Sequence, residues 1–173
     1  MASNFFNVGP LKELENLARL PSHYDIQYGN SLNLSSDHSE PSQAAVAVVV
    51  ERGKFLTITR SDSVRAPGMV CFPGGGVESD ETIEEALVRE MKEELDVVVV
   101  PVECLWKSKA ASGIELNWWT TTLAPEQVIK PNPAEVASFQ WLSIDDVLAL
   151  PNLLPSNAEF FRSLNRGEFE LGM

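Results

Sequence analysis

Cysteine is nearly absent from this chain, with Cys71 and Cys104 the only two among 173 residues. Without a secretory signal ahead of them, two cysteines read as reduced thiols in or near a core, not as a disulfide framework. Histidine is as scarce: His23 and His38 are the only two, and no His/Cys spacing suggests a zinc site. No apolar run approaches the ~18 residues needed to span a bilayer. The stretch from Met1 to Asn7 lacks a basic region, and Lys12, Glu13 and Glu15 interrupt the apolar positions after it. The expectation is a soluble, cytoplasmic protein without a signal peptide. Positive charge is also lacking: 13 basic residues face 25 acidic ones, for a net charge of −12, and no Lys/Arg-rich block exists. Such a chain repels long polyanions, which argues against nucleic-acid polymers as partners. A small phosphorylated substrate stays compatible if a cation mediates the contact. Internal repeats and low-complexity segments are absent too.

What is present is an ordinary globular composition, 44% hydrophobic and 22% charged, in a chain long enough for one domain with a full core. Leu11, Leu14, Leu17 and Leu20 repeat at helical spacing from Pro10 onward, and Pro21 ends that segment. Gly29 to Gln43 is rich in Ser, Asn and Asp and reads as a linker. Residues 1–43 are therefore expected to be an appendage, and 44–173 the main domain. Within that domain strands are expected over 44–50, 55–60, 69–72, 97–106, 114–123 and 135–142. Helices are expected over 81–95, 143–150 and 156–166, the second opened by Ser143 with Asp145 and Asp146 in its first turn. Pro73 to Gly76 reads as the loop that closes the third strand, and Ala124 to Pro133 as a Pro-rich loop. Strands interleaved with a few helices predict an α/β sandwich with a mixed sheet.

The chemistry is concentrated in the helix over 81–95. Glu90, Glu93 and Glu94 stand at i, i+3 and i+4, and so share a helix face. A solvated acidic face is the usual meaning of such a run. Azimuth opposes it here: at about 100° per residue, Ile83, Ala86 and Leu87 fall on the same stripe as Glu90. The pattern predicts three carboxylates aimed inward, with Glu81, Glu85, Lys92 and Asp96 on the solvent side. Two like charges ~4 Å apart repel by roughly 4 kcal/mol at an effective dielectric of ~20. A divalent cation removes that penalty, and an all-oxygen donor set selects Mg²⁺ or Mn²⁺. Gly74-Gly75-Gly76 lies just before the helix, where glycine permits close backbone approach to a ligand.

The segment Gly75 to Val97 resembles the Nudix box, G-x5-E-x7-R-E-U-x-E-E-x-G-U with U aliphatic. The chain supplies Gly75, Glu81, Arg89, Glu90, Met91, Glu93, Glu94 and Val97 at every required gap, and departs only at Asp96, where the pattern has glycine. Asp tolerates the left-handed conformation expected there at a cost on the order of 1 kcal/mol. The resemblance extends over about Ala44 to Leu150. It implies the Nudix α/β/α sandwich with a mixed sheet and a loop–helix–loop, and a Mg²⁺-dependent hydrolase that cleaves a pyrophosphate bond in a nucleoside diphosphate derivative. Mn²⁺ is a possible substitute for Mg²⁺. By this resemblance Glu90 and Glu94 are the main metal ligands, assisted by Glu93 and the carbonyl of Gly74. Arg89, paired with Glu81, orients the glutamates, and Gly75 supports the loop. The base that activates water is either a box glutamate, Glu93 or Glu94, or an acid from a later loop. Glu135, after Pro131-Asn132-Pro133, is the later candidate; its other reading is an ordinary strand-start glutamate.

Upstream of the box, Leu56 to Ser61, Arg65, Gly68 and Phe72 to Gly75 are similar to the element that precedes the box in coenzyme A diphosphatases of the family, with the Arg65–Gly68 gap one residue short. Arg60 and Arg65 are candidates for substrate phosphates, since guanidinium groups suit bidentate phosphate contacts; a surface ion pair is the alternative. Trp118 and Trp119 point to opposite faces of a strand, one toward the core and one available to a nucleobase. Trp118 is the candidate for substrate contact, and a homodimer is a possible assembly. Two other readings compete with an enzyme. One is a non-catalytic Nudix-fold module that senses a nucleotide or binds protein, which would be expected to lose the box glutamates. The other is a structural Ca²⁺ or Mg²⁺ site, which leaves the full spacing with Arg89 and the glycine loop unexplained.

Overall fold

The structure, a computed structural model, describes residues 42–171. The helix expected from Pro10 to Leu20, and nearly all of the expected linker, lie outside the described residues. Eight strands and three helices follow in the order β1 (Gln43–Val48), β2 (Val50–Glu51), β3 (Lys54–Arg60), β4 (Val70–Cys71), β5 (Gly74–Gly76), α1 (Ile83–Leu95), β6 (Val99–Lys109), β7 (Glu115–Leu123), β8 (Val136–Leu142), α2 (Ile144–Leu148) and α3 (Pro155–Asn165). No helix among the described residues is long and apolar enough to cross a membrane.

The strands form two four-stranded sheets. One runs β5-β1-β7-β6 and is mixed, because β1 pairs parallel with β7 while its other neighbours are antiparallel. The second is wholly antiparallel: β3 pairs with β2, β4 and β8. Alternation along β1 then builds two cores, since successive strand residues face opposite sides. Ala45 and Ala47 meet Ala86, Leu87, Met91 and Leu95 of α1 on one side. Val48, with Trp118 of β7, meets Val147 of α2 and Phe160 and Phe161 of α3 on the other. Helices therefore cover both faces of the mixed sheet, the layered sandwich that the sequence predicts. The second core is aromatic, with Trp118 stacked on Phe160 at a centroid distance of 4.8 Å.

Two expectations on the strands are corrected: the single strand expected over 44–50 is two, β1 and β2, which pair in different sheets. Gly74–Gly76 is not a loop but a strand, antiparallel to β1 with Ala45 opposite Gly75. No side chain signals it, so no pattern of the kind that reveals β3 or β7 exists there. Glycine is required all the same. Gly74 has φ +136°, and a Cβ on it would lie 2.2 Å from the carbonyl oxygen of Ala45.

Helix α1 begins two residues later than expected. Thr82 is its N-cap and forms a capping box with Glu85, whose amide donates to the Thr82 hydroxyl. It ends at Asp96, whose φ of 55° is left-handed and whose N–H donates to the carbonyl of Lys92 at 3.1 Å. The geometry expected of the box glycine is thus adopted by an aspartate. Its carboxylate pairs with Lys92 and with Lys130.

Candidate active site

Helix α1 carries two carboxylates into the structure, not three. Glu90 and Glu94 are buried, at 8% and 4% exposure, whereas Glu93 is exposed. The reason is azimuthal. Met91 and Leu95 are buried along with Ala86 and Leu87, so the buried stripe is centred on the Leu87–Glu94 side of Glu90 and Glu93 falls beyond its other edge. Glu93 Oε2 instead accepts a 3.1 Å hydrogen bond from Arg89. A second correction concerns Glu81. It precedes the helix, so helical azimuth does not apply to it, and its carboxylate is turned inward to Arg89.

The third carboxylate of the cluster comes from elsewhere. Candidate ligand oxygens of Glu90, Glu94 and Glu135 all lie within 4.8 Å of one another. Glu135 stands one residue before β8, whose pairing with β3 fixes its place: the amide of Ser61 donates to the Glu135 carbonyl at 2.9 Å. Residues 45 positions apart in the sequence are thus drawn to one point by two different sheets and a helix.

Each helix carboxylate has a backbone or guanidinium partner. Gly74 N–H donates to Glu94 Oε2 at 2.9 Å, which sets the Gly74 backbone beside the cluster. Arg89 is the hub beside Glu90. Its guanidinium donates to Glu81 Oε1 at 2.6 Å, Glu90 Oε1 at 2.8 Å and the Gly76 carbonyl at 2.9 Å. Glu81 foremost, and then Glu90, raise the guanidinium pKa further, against the effect of burial. Gly75 is the floor of the site: a Cβ there would sit 2.3 Å from Glu90 Oε1.

The electrostatics follow from burial and crowding. Burial, the largest cause, pushes Glu94 up to about 8; the Gly74 amide and Arg60 oppose the rise, and Glu90 and Glu135 add to it. Glu90 is raised too, again chiefly by burial, with Arg89 opposing. Glu81 moves the other way, held low by its hydrogen bond to Arg89. Buried carboxylates that share a point and resist ionisation suit a ligand that brings positive charge. An all-oxygen donor set at this spacing, without sulfur or nitrogen, fits a hard divalent cation.

The arginines expected at substrate phosphates differ in position. Arg60, at the end of β3, lies close enough to act on the charge of Glu94 and on the buried Cys71 thiol, which burial raises to about 11. Its Nε donates to the Arg65 carbonyl at 2.6 Å. Arg65 is exposed on the following loop. Trp118 is a correction: it is fully buried in the aromatic core, with Nε1 donating to Ser108 Oγ at 2.9 Å, and offers no face to a base. Trp119 is the half-buried one, on the α1 side of the sheet. Sequence reasoning missed Asn132, whose side-chain amide donates to Glu135 Oε1 at 3.2 Å. The signal for it was present, since an asparagine between two prolines favours a turn closed by its own side chain.

The NUDIX domain profile matches residues 41–164, which is more than half of the chain and includes every site residue above. The chain belongs to the Nudix hydrolase family. Among curated relatives, the NAD-capped RNA hydrolase NudC of Stutzerimonas stutzeri (strain A1501) is 31% identical over 113 residues, covering 62% of this chain but 38% of that protein. The chain thus spans little more than a third of the length of that relative. The phosphatase NudJ of Escherichia coli (strain K12) is 25% identical over 134 residues, 75% of this chain and 86% of NudJ. Among solved structures, the MutT protein from Methanosarcina mazei Go1 superposes with a TM-score of 0.62 at 24% identity, over 73% of this chain and 94% of that one. At that identity the likeness speaks to the fold. The Nudix fold expected from the box is the fold observed.

Proposed function

We propose that this protein is a Mg²⁺-dependent hydrolase that cleaves the pyrophosphate bond of a nucleoside diphosphate joined to a second moiety, of the dinucleotide or coenzyme A kind, or of a nucleoside triphosphate. The observation that carries the reading is the convergence of Glu90, Glu94 and Glu135 within 4.8 Å beside a glycine strand and a guanidinium hub. The relatives named for NAD-capped RNA hydrolysis and for phosphatase activity act on phosphorus-containing bonds, which agrees with the chemistry class.

Glu90, Glu94 and Glu135 are the residues that would hold the cation, with Mn²⁺ a possible substitute. Bound there, a divalent cation supplies Lewis acidity and neutralises charge that develops on the bridging phosphates. The protein's own residues do the rest. Arg89 fixes Glu90 against the glycine strand through its bond to Gly76, and Glu81 holds Arg89. Glu93, tied to the outer side of Arg89, belongs to that support. Glu135 is carried by a loop, not by the helix, and is the carboxylate assigned to take the proton from the attacking water. Arg60, beside Glu94, is the group assigned to a substrate phosphate oxygen. Arg65 is assigned the same part at the rim. A protein with these features acts on a small nucleotide. We further read it as cytoplasmic, and a homodimer is compatible with it.

The test is product analysis from a panel of coenzyme A, ADP-ribose, NADH, diadenosine polyphosphates and ordinary and oxidised nucleoside triphosphates, with Mg²⁺ and with chelator. The expected result is metal-dependent release of a nucleoside monophosphate or its counterpart from one class. Nucleotide binding without turnover of any class would support a sensing module instead.

A further inference from the structure

The loop that delivers Glu135 to the cluster is built around Asn132. Between Pro131 and Pro133, neither of which has an N–H, Asn132 is the one residue of the three with a backbone donor. That N–H goes to the carbonyl of Glu94 at 2.9 Å, and the N–H of Lys130 goes to the carbonyl of Leu95 at 2.9 Å. Both carbonyls belong to the last turn of α1, where helix geometry leaves them without intrahelical partners. The loop is therefore the C-terminal cap of the helix that carries Glu90 and Glu94. The carbonyl of Asn132 then accepts the amides of Glu135 at 3.0 Å and Val136 at 2.8 Å, and its Oδ1 accepts the amide of Ala134 at 3.1 Å. On the far side, Ser61 Oγ donates to the Ala134 carbonyl at 2.7 Å.

These contacts fix the backbone of Glu135 but leave its side-chain torsions open. Its carboxylate lies close to two others and is repelled by them, so the direction away from the cluster is electrostatically favoured. Among the described residues, one hydrogen bond holds the carboxylate, and it comes from Asn132 Nδ2 to Oε1 at 3.2 Å. We propose that Asn132 is a positioning residue whose side-chain amide keeps the Glu135 carboxylate turned toward Glu90 and Glu94. The inference rests on the assignment of Glu135 to the active site. An amide suits the task where a lysine or arginine would not, because it donates a hydrogen bond without a charge that would compete with a cation. Its two ends divide the work: Oδ1 closes the turn, and Nδ2 aims the carboxylate.

That division supplies the test. Asn132→Ser keeps a hydroxyl that can close the turn but cannot reach Glu135, while Asn132→Ala loses both contacts. Mn²⁺ is titrated into each protein without nucleotide and read by electron paramagnetic resonance, with metal-free melting temperature as the control for folding. The same is done for Glu135→Gln and for Glu135→Gln combined with Asn132→Ser. The expected result is a loss of Mn²⁺ affinity of about 10- to 100-fold in both Asn132 variants, the range typical of residues that orient metal ligands, and a loss at least as large in Glu135→Gln. The double variant should bind no more weakly than Glu135→Gln alone. If Glu135→Gln weakens binding while Asn132→Ser folds and binds as wild type, the role of Asn132 is overturned and that of Glu135 stands. Loss in Asn132→Ala alone would assign the residue to the turn and also overturn the proposal, as would a further loss in the double variant. Wild-type affinity in Glu135→Gln would remove Glu135 from the residues that hold the cation, and the inference with it.

Discussion

The amide of Gly74 donates a 2.9 Å hydrogen bond to the carboxylate of Glu94, across twenty positions of sequence. That bond joins the glycine strand to the helix at the point where Glu94 is most strongly driven toward its neutral form. It is a partial compensation: burial still wins, and the carboxyl is pushed up to about 8. The site is thus held together against its own charge, and several consequences can be measured.

The first concerns pH. The folded pKa of Glu94 lies above its ordinary value of 4.5, so the folded protein binds the proton more tightly than the unfolded chain. Its contribution to stability is full below about 4.5 and is lost as pH rises through about 8. Glu90, raised in the same direction, adds to the slope. Metal-free protein should therefore lose melting temperature between pH 5 and pH 8, and Glu94→Gln should flatten that decline. Mg²⁺ should stabilise the wild type more at pH 8 than at pH 5, because the ligand is the ionised carboxylate. Thermal melts with Mg²⁺ and with chelator check both statements.

Gly75→Ala should be costly beyond its size. The added methyl would meet Glu90 Oε1 at 2.3 Å, so either the strand or the carboxylate must move. We expect a destabilisation of about 1–3 kcal/mol, as for other overpacked positions, together with weakened Mn²⁺ binding. Urea unfolding and a Mn²⁺ titration on the same preparation read the two effects.

Arg89→Lys tests the hub. A lysine carries the charge but not the planar fork that reaches Glu81, Glu90 and the Gly76 carbonyl at once. Metal affinity should fall by about 10- to 100-fold, while the exposed Glu93 contact contributes little. Glu93→Gln is accordingly expected to bind Mn²⁺ within a few-fold of wild type. Isothermal titration with Mn²⁺ compares them.

Asp96→Gly should stabilise the protein. The left-handed φ of 55° favours glycine by roughly 1 kcal/mol. Against it stands the loss of ion pairs to Lys92 and Lys130, which are exposed and worth little. A rise in urea midpoint with unchanged metal affinity is the expected outcome.

Much of this was legible in the residues. The spacing from Gly75 to Val97 names the family, and runs of β-favouring residues place β3 and β7 almost to the residue. Three of the departures lie where side-chain pattern alone carries no information. Glu93 lies within 60° of Glu90 on a helical wheel, yet Met91 and Leu95 turn the buried stripe away from it. Trp118 and Trp119 are equivalent in a strand until the aromatic residues of α3 close over one face. The glycine strand has no side chains to show a period of two. Glu135 could be weighed but not decided, because its approach to Glu94 depends on the pairing of β8 with β3.

If the acidic cluster holds a cation for hydrolysis, Glu94→Gln removes a ligand charge that the reaction requires. Hydrolysis of the best substrate from the nucleotide panel would be followed for wild type and variant at saturating Mg²⁺, with chelator as the baseline. The expected result is a wild-type rate that chelator abolishes and a variant rate reduced by at least about 100-fold in a protein that still melts cooperatively. A folded Glu94→Gln protein that hydrolyses the substrate as fast as wild type would rule out this role for the cluster.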